Sequence, residues 1–328
     1  MNPKAKNILK YTLSFLLAAV LVWFAFRKVD WKDFLDGLRM TRWAWMALFA
    51  LASIAAVVLR MIRWKGMLEP VEPEVSALRT WDAANIGNLV NVVLPGAGEL
   101  VRCGYVSRKK GSYEKVFGTV LMERMWDMAA IAVLLICAVG FGWKRFGSFF
   151  IDNIWKPAAG KFSLPFWGIM AIALLVAVIL VIVIFRLSRK SGFFSRVADK
   201  WRGFLQGLVS FTRMERKWAF GACTAGIWIM YVLMSWCALK AIPALSALTF
   251  TDALFISAAG NIASVIPVPG GIGAYHYLIA LIVSSLYGAS WDTGLLFATL
   301  NHESHAILVI ILGVISYIRI SVGKKSSV

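Results

Sequence analysis

Six stretches of this chain are apolar for about 20 residues or more. Two others are apolar but carry a proline–glycine break at their centres. That pattern leaves one solvent in which the chain can fold. About 20 apolar residues suffice for a helix to cross the hydrocarbon core of a bilayer. The unbroken runs lie near 8–26, 43–62, 116–143, 166–185, 218–239 and 293–318. The interrupted segments span 81–110, broken at Pro95-Gly96, and 250–290, broken at Pro269-Gly270-Gly271. Composition agrees. Hydrophobic residues make up 60% and charged residues 16%, against about 45–50% and 25% in soluble domains. The 328 residues would allow about two soluble domains by length, yet no stretch between the runs is long enough to form one. The expected architecture is all-α and polytopic: one transmembrane domain over 1–328, with six spans and two re-entrant hairpins.

The first run is not read as a cleaved leader, because Arg27 and Lys28 follow it without a small-x-small cleavage site. Cys103, Cys137, Cys223 and Cys237 stand singly in apolar surroundings. They suggest neither zinc nor disulfides. The net charge of +18 sits in no soluble fold that could hold nucleic acid. It fits cytoplasmic loops beside anionic headgroups. Segment 186–217 holds nine Lys/Arg and two acids, Asp199 and Glu215, which places it in the cytoplasm. Both termini then fall inside, if each interrupted segment enters and leaves on one side. Segment 27–42 falls outside despite five basic residues, partly offset by Asp30, Asp33 and Asp36. Within 193–209, Phe194, Val197, Trp201, Phe204, Leu205 and Leu208 recur at helical spacing, the pattern of a helix lying in the headgroup layer. Trp31, Phe34, Leu35 and Leu38 make a shorter version. Trp43, Trp45, Trp64, Trp143, Trp167, Trp218 and Trp291 lie near span ends as interface anchors.

Residues 8–143 read helix, helix, broken segment, helix, and residues 166–320 repeat that order. With the first half starting inside and the second outside, the halves form an inverted repeat. Asn85, Asn88 and Asn91 lead into PGAGELVR at 95–102, and Asn261 leads into PVPGGIGAYH at 267–276. Unpaired backbone groups in hydrocarbon cost several kcal/mol each. A break at that depth therefore has to be buried in protein or line a wet cavity. The helix that follows each break turns free N–H groups and the positive end of its dipole toward the midplane, where an anion can sit. Two kinked helices packed through small residues are the bland alternative.

Charged side chains inside spans cost about 2.5–3.5 kcal/mol each on insertion scales and suggest function. Glu99 and Arg102 follow the first break. Glu123, Arg124 and Asp127 lie in ERMWD, with Glu123 and Asp127 four apart on one helix face. Arg60 and Arg63 lie three apart at the inner end of the second span. Arg60, Arg102 and Arg124 balance Glu99, Glu123 and Asp127. This set is either a structural ion-pair network or a groove in which arginines hold a lipid phosphate through paired contacts. The second half offers Asp252, Tyr275, His276 and NHESH at 301–305. His302 and His305 supply half of a metal site, but Glu303 is expected to point elsewhere and no third ligand is evident. No metal and no cofactor are expected. There is no GxxxxGK, GxSxG or HExxH motif.

NLVNVVLPGAGELVR, then ERMWD, then PVPGGIG late in the chain resemble the transmembrane region of lysylphosphatidylglycerol synthases and their stand-alone, flippase-like relatives. The resemblance covers nearly the whole chain. It implies that Pro95, Gly98, Glu99 and Arg102 match the first signature, Glu123, Arg124 and Asp127 the second, and Pro269, Gly270, Gly271 and Gly273 the third. It also implies movement of an aminoacylated phospholipid or another lipid-linked group between leaflets. Many relatives carry an acidic residue where this chain has His276. The synthases append a soluble transferase domain, whereas this chain stops at GKKSSV, so synthase activity is not expected.

The expectation is therefore a multi-pass inner-membrane flippase-like transporter, not an enzyme. Its substrate would be an anionic or aminoacylated phospholipid or a polyprenyl-linked sugar, held by the residues named above together with Arg60, Asn85, Asn88, Asn261, Tyr275 and His276. Two alternatives stand beside it. One is a scaffold for a partner transferase. The other is an intramembrane lipid transferase using Glu99, Glu123 or Asp127 as acid or base.

Overall fold

A computed structural model describes residues 16, 19–27, 29–107, 112–142, 146, 214–263, 268 and 271–325. Among these residues the fold is all-helical. Residues 19–26 are helical, and after them run the helices α1 Trp31–Arg39, α2 Trp43–Leu68, α3 Ala77–Val93, α4 Ala97–Val106, α5 Tyr113–Phe141, α6 Lys217–Ala241, α7 Phe250–Ala263, α8 Ala274–Tyr287 and α9 Trp291–Lys325, with a 3₁₀ turn at Pro243–Leu245. Four are long and apolar enough to cross a membrane: Trp43–Leu68, Tyr113–Phe141, Lys217–Ala241 and Trp291–Val322. Their outward faces carry Met128, Ile136, Phe141, Ile311 and Tyr317, all more than half exposed. Apolar side chains that face away from a bundle are what hydrocarbon requires. Of the other two expected spans, 166–185 and most of 8–26 lie outside the described residues, as do loop 144–165 apart from Phe146 and the amphipathic segment 193–209.

Both expected breaks separate helices. The first falls between α3 and α4, where Gly96 takes φ +78°, a left-handed conformation that glycine adopts without penalty. The chain then doubles back. Gly98 meets the Gly87 carbonyl so closely that an added Cβ would lie 1.9 Å from that oxygen. Arg79 Nε donates to the Tyr105 carbonyl at 3.0 Å. Pairing 87 with 98 and 79 with 105 makes α3–α4 an antiparallel hairpin. The Asn91 side chain bridges the turn by accepting from Gly98 N at 2.8 Å. The second break falls between α7 and α8, with Gly271 at φ +75° and Gly273 at φ +86°. Gly260 of α7 lies against Tyr275 and Ile279 of α8. Pro269 and Gly270 lie outside the described residues.

The packing repeats. Exchanging α2 with α6, α3 with α7, α4 with α8 and α5 with α9 maps the principal contacts of these eight helices onto themselves. α2 packs on α6 along the seam. α9 packs on α3 just as α5 packs on α7, so the last helix of each half braces the broken hairpin of the other. Gly313 makes the first of these contacts close, against Leu89 and the Asn85 carbonyl, and the Arg319–Asp82 ion pair ties the same two helices. On the other side the Phe146 and Phe255 rings stack at 4.1 Å.

α1 forms where the short amphipathic pattern predicts it. It is capped by Asp30, whose side chain accepts from Lys32 N and Asp33 N, and it turns Phe34 inward. One expected anchor is corrected. Trp64 is fully buried, donates to Thr119 Oγ1 at 3.2 Å and lies under Arg102 at 4.6 Å. Trp43 and Trp218 are exposed, and Trp143 and Trp167 lie outside the described residues.

Candidate functional site

A cavity of about 740 Å³ lies between the halves, and each of the eight helices α2–α9 contributes to its wall. Both breaks reach it, through Pro95 and Gly96 on one side and Val268 and Gly271 on the other. The first half supplies Arg60, Asn88, Asn91, Glu99, Arg124 and Asp127. The second supplies Tyr231, Ser257, Asn261, Tyr275, Asn301, His302, Glu303 and His305.

The charged cluster divides into a buried layer and a layer facing the cavity. Glu123 has no exposed side-chain surface and holds three guanidinium groups. Arg63 Nη2 donates to Glu123 Oε1 at 3.0 Å, Arg102 Nη2 donates to Oε2 at 2.9 Å, and Arg60 Nη1 lies 3.6 Å from Oε1. Arg63 also donates to Asp127 Oδ1 at 2.8 Å and to Thr224 Oγ1 at 3.3 Å. Arg102 is sandwiched between Glu123 and the Trp64 ring. These three side chains do not reach the cavity. Nearer to it, Arg60 Nη1 lies 3.4 Å from Asp127 Oδ2, and Arg60 Nη2 donates to Tyr231 OH at 2.9 Å. Arg124, 41% exposed, donates to Glu99 Oε1 at 2.5 Å and lies 3.8 Å from Asp127 Oδ2. The division follows from helical geometry. Glu123 and Asp127 share a face of α5, and Arg124 is set about 100° round from it.

Four arginines therefore meet three carboxylates. The fourth is Arg63, and the equal balance expected from sequence leaves it out. Its three-residue spacing from Arg60 was the available signal, since both point from one face of α2 into the same carboxylates.

Of the residues expected to bind substrate, Arg60, Asn88, Pro95, Glu99, Arg124, Asp127, Asn261, Gly271 and Tyr275 line the cavity. Six do not. Arg102 and Glu123 form the buried layer. Asn85 donates from Nδ2 to the Trp81 carbonyl at the α3–α9 contact. Gly98 is closed by Gly87. Gly273 abuts the backbone of Leu21 and Val22. His276 is 2% exposed. The α4 N-terminus is partly satisfied from within, because Asn91 takes the Gly98 N–H and Glu99 stands in the first turn.

The histidine pairing differs from the expected one. His305 does not join His302; its Nδ1 makes a 2.7 Å hydrogen bond with Ser53 Oγ. Glu303 does not point elsewhere: its Oε1 lies 3.0 Å from His302 Nδ1 and 3.5 Å from His276 Nε2. The third member, His276, comes from the far side of the second break, so no spacing along α9 could have indicated it. Tyr275 OH accepts from Asn301 Nδ2 at 2.5 Å beside this group.

Comparisons with known proteins place the chain in a family. A family model described as the lysylphosphatidylglycerol synthase TM region matches residues 11–313. A UPF0104 membrane protein of Pyrococcus horikoshii is 31% identical over 88 residues, a match that spans 25% of this chain and about a quarter, 26%, of that protein. No solved structure matches. The family match takes in both broken hairpins and the charged cluster between them, and the chain belongs to the lysylphosphatidylglycerol synthase transmembrane-region family.

Proposed function

We propose that this chain is a flippase-like transporter that carries the headgroup of a membrane lipid between leaflets while the acyl chains stay in hydrocarbon. It would do so as a six-span inner-membrane protein with both termini cytoplasmic, its two hairpins entering from opposite sides. One observation carries the reading: a single cavity with both helix breaks and four charged side chains of the first half on its wall. The exchange symmetry of the packing supports it, because halves that brace one another's hairpins can rock about the α2–α6 seam.

The main barrier to moving such a headgroup is stripping water from its phosphate. Arg124 is the most exposed cation of the cluster and is held by one oxygen of Glu99. Arg60 keeps one nitrogen on Tyr231. Both present N–H donors at the wall, so a phosphate can displace a carboxylate or tyrosine partner without either arginine becoming uncompensated. Arg63, Arg102 and Glu123 act behind them as a fixed counter-layer. Asp127 touches both layers and holds them in register. With no nucleotide motif in the sequence, the drive is a lipid, proton or ion gradient, or a partner transferase that consumes the product. The cargo class is an anionic or aminoacylated phospholipid or a polyprenyl-linked sugar, moved rather than chemically altered.

The test is reconstitution of the purified chain into vesicles with headgroup-labelled lipids, reading leaflet accessibility over time. Intact protein should accelerate exchange of at least one class. Arg124→Leu and Glu99→Gln should lower that rate at least about tenfold, equivalent to roughly 1.4 kcal/mol on the barrier. Rates equal to those of empty vesicles across the lipid panel would refute the proposal. A chemically altered lipid would favour the transferase alternative.

A further inference from the structure

We propose that His276, His302 and Glu303 form a site for a divalent transition-metal ion, with zinc fitting best, on the cavity wall that the second half supplies. His276 stands in the first turn of α8, directly after the second break, and His302 and Glu303 stand in α9. One ligand atom from each lies within 4.8 Å of the others. Tetrahedral zinc with bonds of about 2.0–2.1 Å sets its ligand atoms roughly 3.3 Å apart. The 3.0 Å separation of Glu303 Oε1 from His302 Nδ1 and its 3.5 Å separation from His276 Nε2 bracket that value.

One further observation points to a missing cation. His276 is 2% exposed, and the nitrogen it turns toward Glu303 is Nε2. Its ring is held in place, 5.9 Å from Phe26 and 5.4 Å from His302, centroid to centroid. A single carboxylate oxygen is also shared by two imidazoles. Two neutral imidazoles and a carboxylate are a standard donor set for zinc.

Three protein ligands leave a fourth position. His302 and Glu303 both line the cavity, so that position faces the space where a water or an anionic group would sit. The ligands come from both sides of the α8–α9 junction, and Gly271 lies against His302, where an added Cβ would be 3.3 Å from Nε2. A bound ion would therefore pin the second break to α9. The sequence of the first half shows no equivalent set, since arginines occupy the corresponding role there.

The experiment uses tag-free, full-length protein in detergent, stripped with chelator and titrated with Co²⁺. One equivalent per chain should give the visible bands of tetrahedral Co²⁺, and Zn²⁺ should displace it. His302→Ala and Glu303→Gln should each weaken binding about 100-fold or more, since even outer-shell changes cost 10–100-fold. His276→Gln is the third variant. Thermal unfolding of every variant confirms that it is folded, and zinc should raise the midpoint of the intact chain but not of the variants. No bands together with no zinc retained on equilibrium dialysis would overturn the proposal. So would binding that survives in the His276→Gln/His302→Ala double variant, or sulfur-to-metal charge-transfer bands from the cysteines. The site stands apart from the transport reading. A chain that binds zinc and moves no lipid refutes only the transport, and one that moves lipid and binds no zinc refutes only the site.

Discussion

Glu123 and Arg124 are neighbours in sequence with opposite surroundings, and they separate scaffold from machinery at the residue scale. Glu123 is sealed from solvent and compensates Arg60, Arg63 and Arg102. Removing one partner of a buried ion pair leaves an uncompensated charge and costs about 3–5 kcal/mol. Glu123→Gln should therefore lower the thermal unfolding midpoint in detergent sharply. Arg124 is 41% exposed and pairs at the cavity wall, where ion pairs contribute roughly 0–1 kcal/mol. Arg124→Leu should unfold within a few degrees of the intact chain while losing lipid movement. Equal losses of stability in the two variants would contradict the two-layer arrangement. Residue types and the spacing of ERMWD made the cluster visible in the sequence. The side of α5 that meets Arg63 and Arg102 depends on how α2 and α4 pack around it, which spacing along one helix does not encode. The same holds for Trp64 and Glu303. Each is near a boundary or a neighbour by number, and its direction is decided by a helix far away in sequence.

At the scale of elements, the breaks were the most readable part of the chain, because proline and glycine act through backbone geometry that needs no partner. What the sequence could not carry was how tightly the first hairpin closes. Gly96 and Gly98 separate the two effects. Gly96 has φ +78° and open space around its Cα, so Gly96→Ala should cost only the roughly 1–2 kcal/mol of placing an L-residue in that conformation. Gly98 has ordinary helical geometry, but a Cβ there would strike the Gly87 carbonyl and Asn91. Gly98→Ala should therefore be the more damaging change in thermal unfolding and should also reduce lipid movement. The opposite ranking would mean that the turn conformation, rather than the contact between arms, holds the hairpin.

At the scale of the whole molecule, hydropathy suggests a repeated order of helices and breaks, but it carries no trace of the mutual bracing of α9 on α3 and α5 on α7. Contacts between halves are set by shape and by small residues such as Gly313, and the halves share little side-chain identity. If the halves run in opposite senses through the bilayer, the loop after α2 and the loop after α6 face opposite compartments. In a background freed of the four native cysteines, Glu74→Cys and Ala247→Cys should react with a membrane-impermeant maleimide from opposite sides of oriented vesicles. Labelling of both from one side would rule out the inverted arrangement.

The glycine-on-glycine closure at 87 and 98 also limits how the protein can move. Arms that touch backbone to backbone have no side-chain layer along which to slide, and the Asn91 bridge ties the bend itself. The first hairpin can therefore only travel as one piece. Any widening that admits a bulky cargo must occur along its outer boundaries, against α5, where Glu99 and Arg124 meet through side chains, and against α9, where Gly313 rests on Leu89 and the Asn85 carbonyl. Small-molecule locks aimed at those two flanks, rather than at the bend, are the ones that should arrest the cycle.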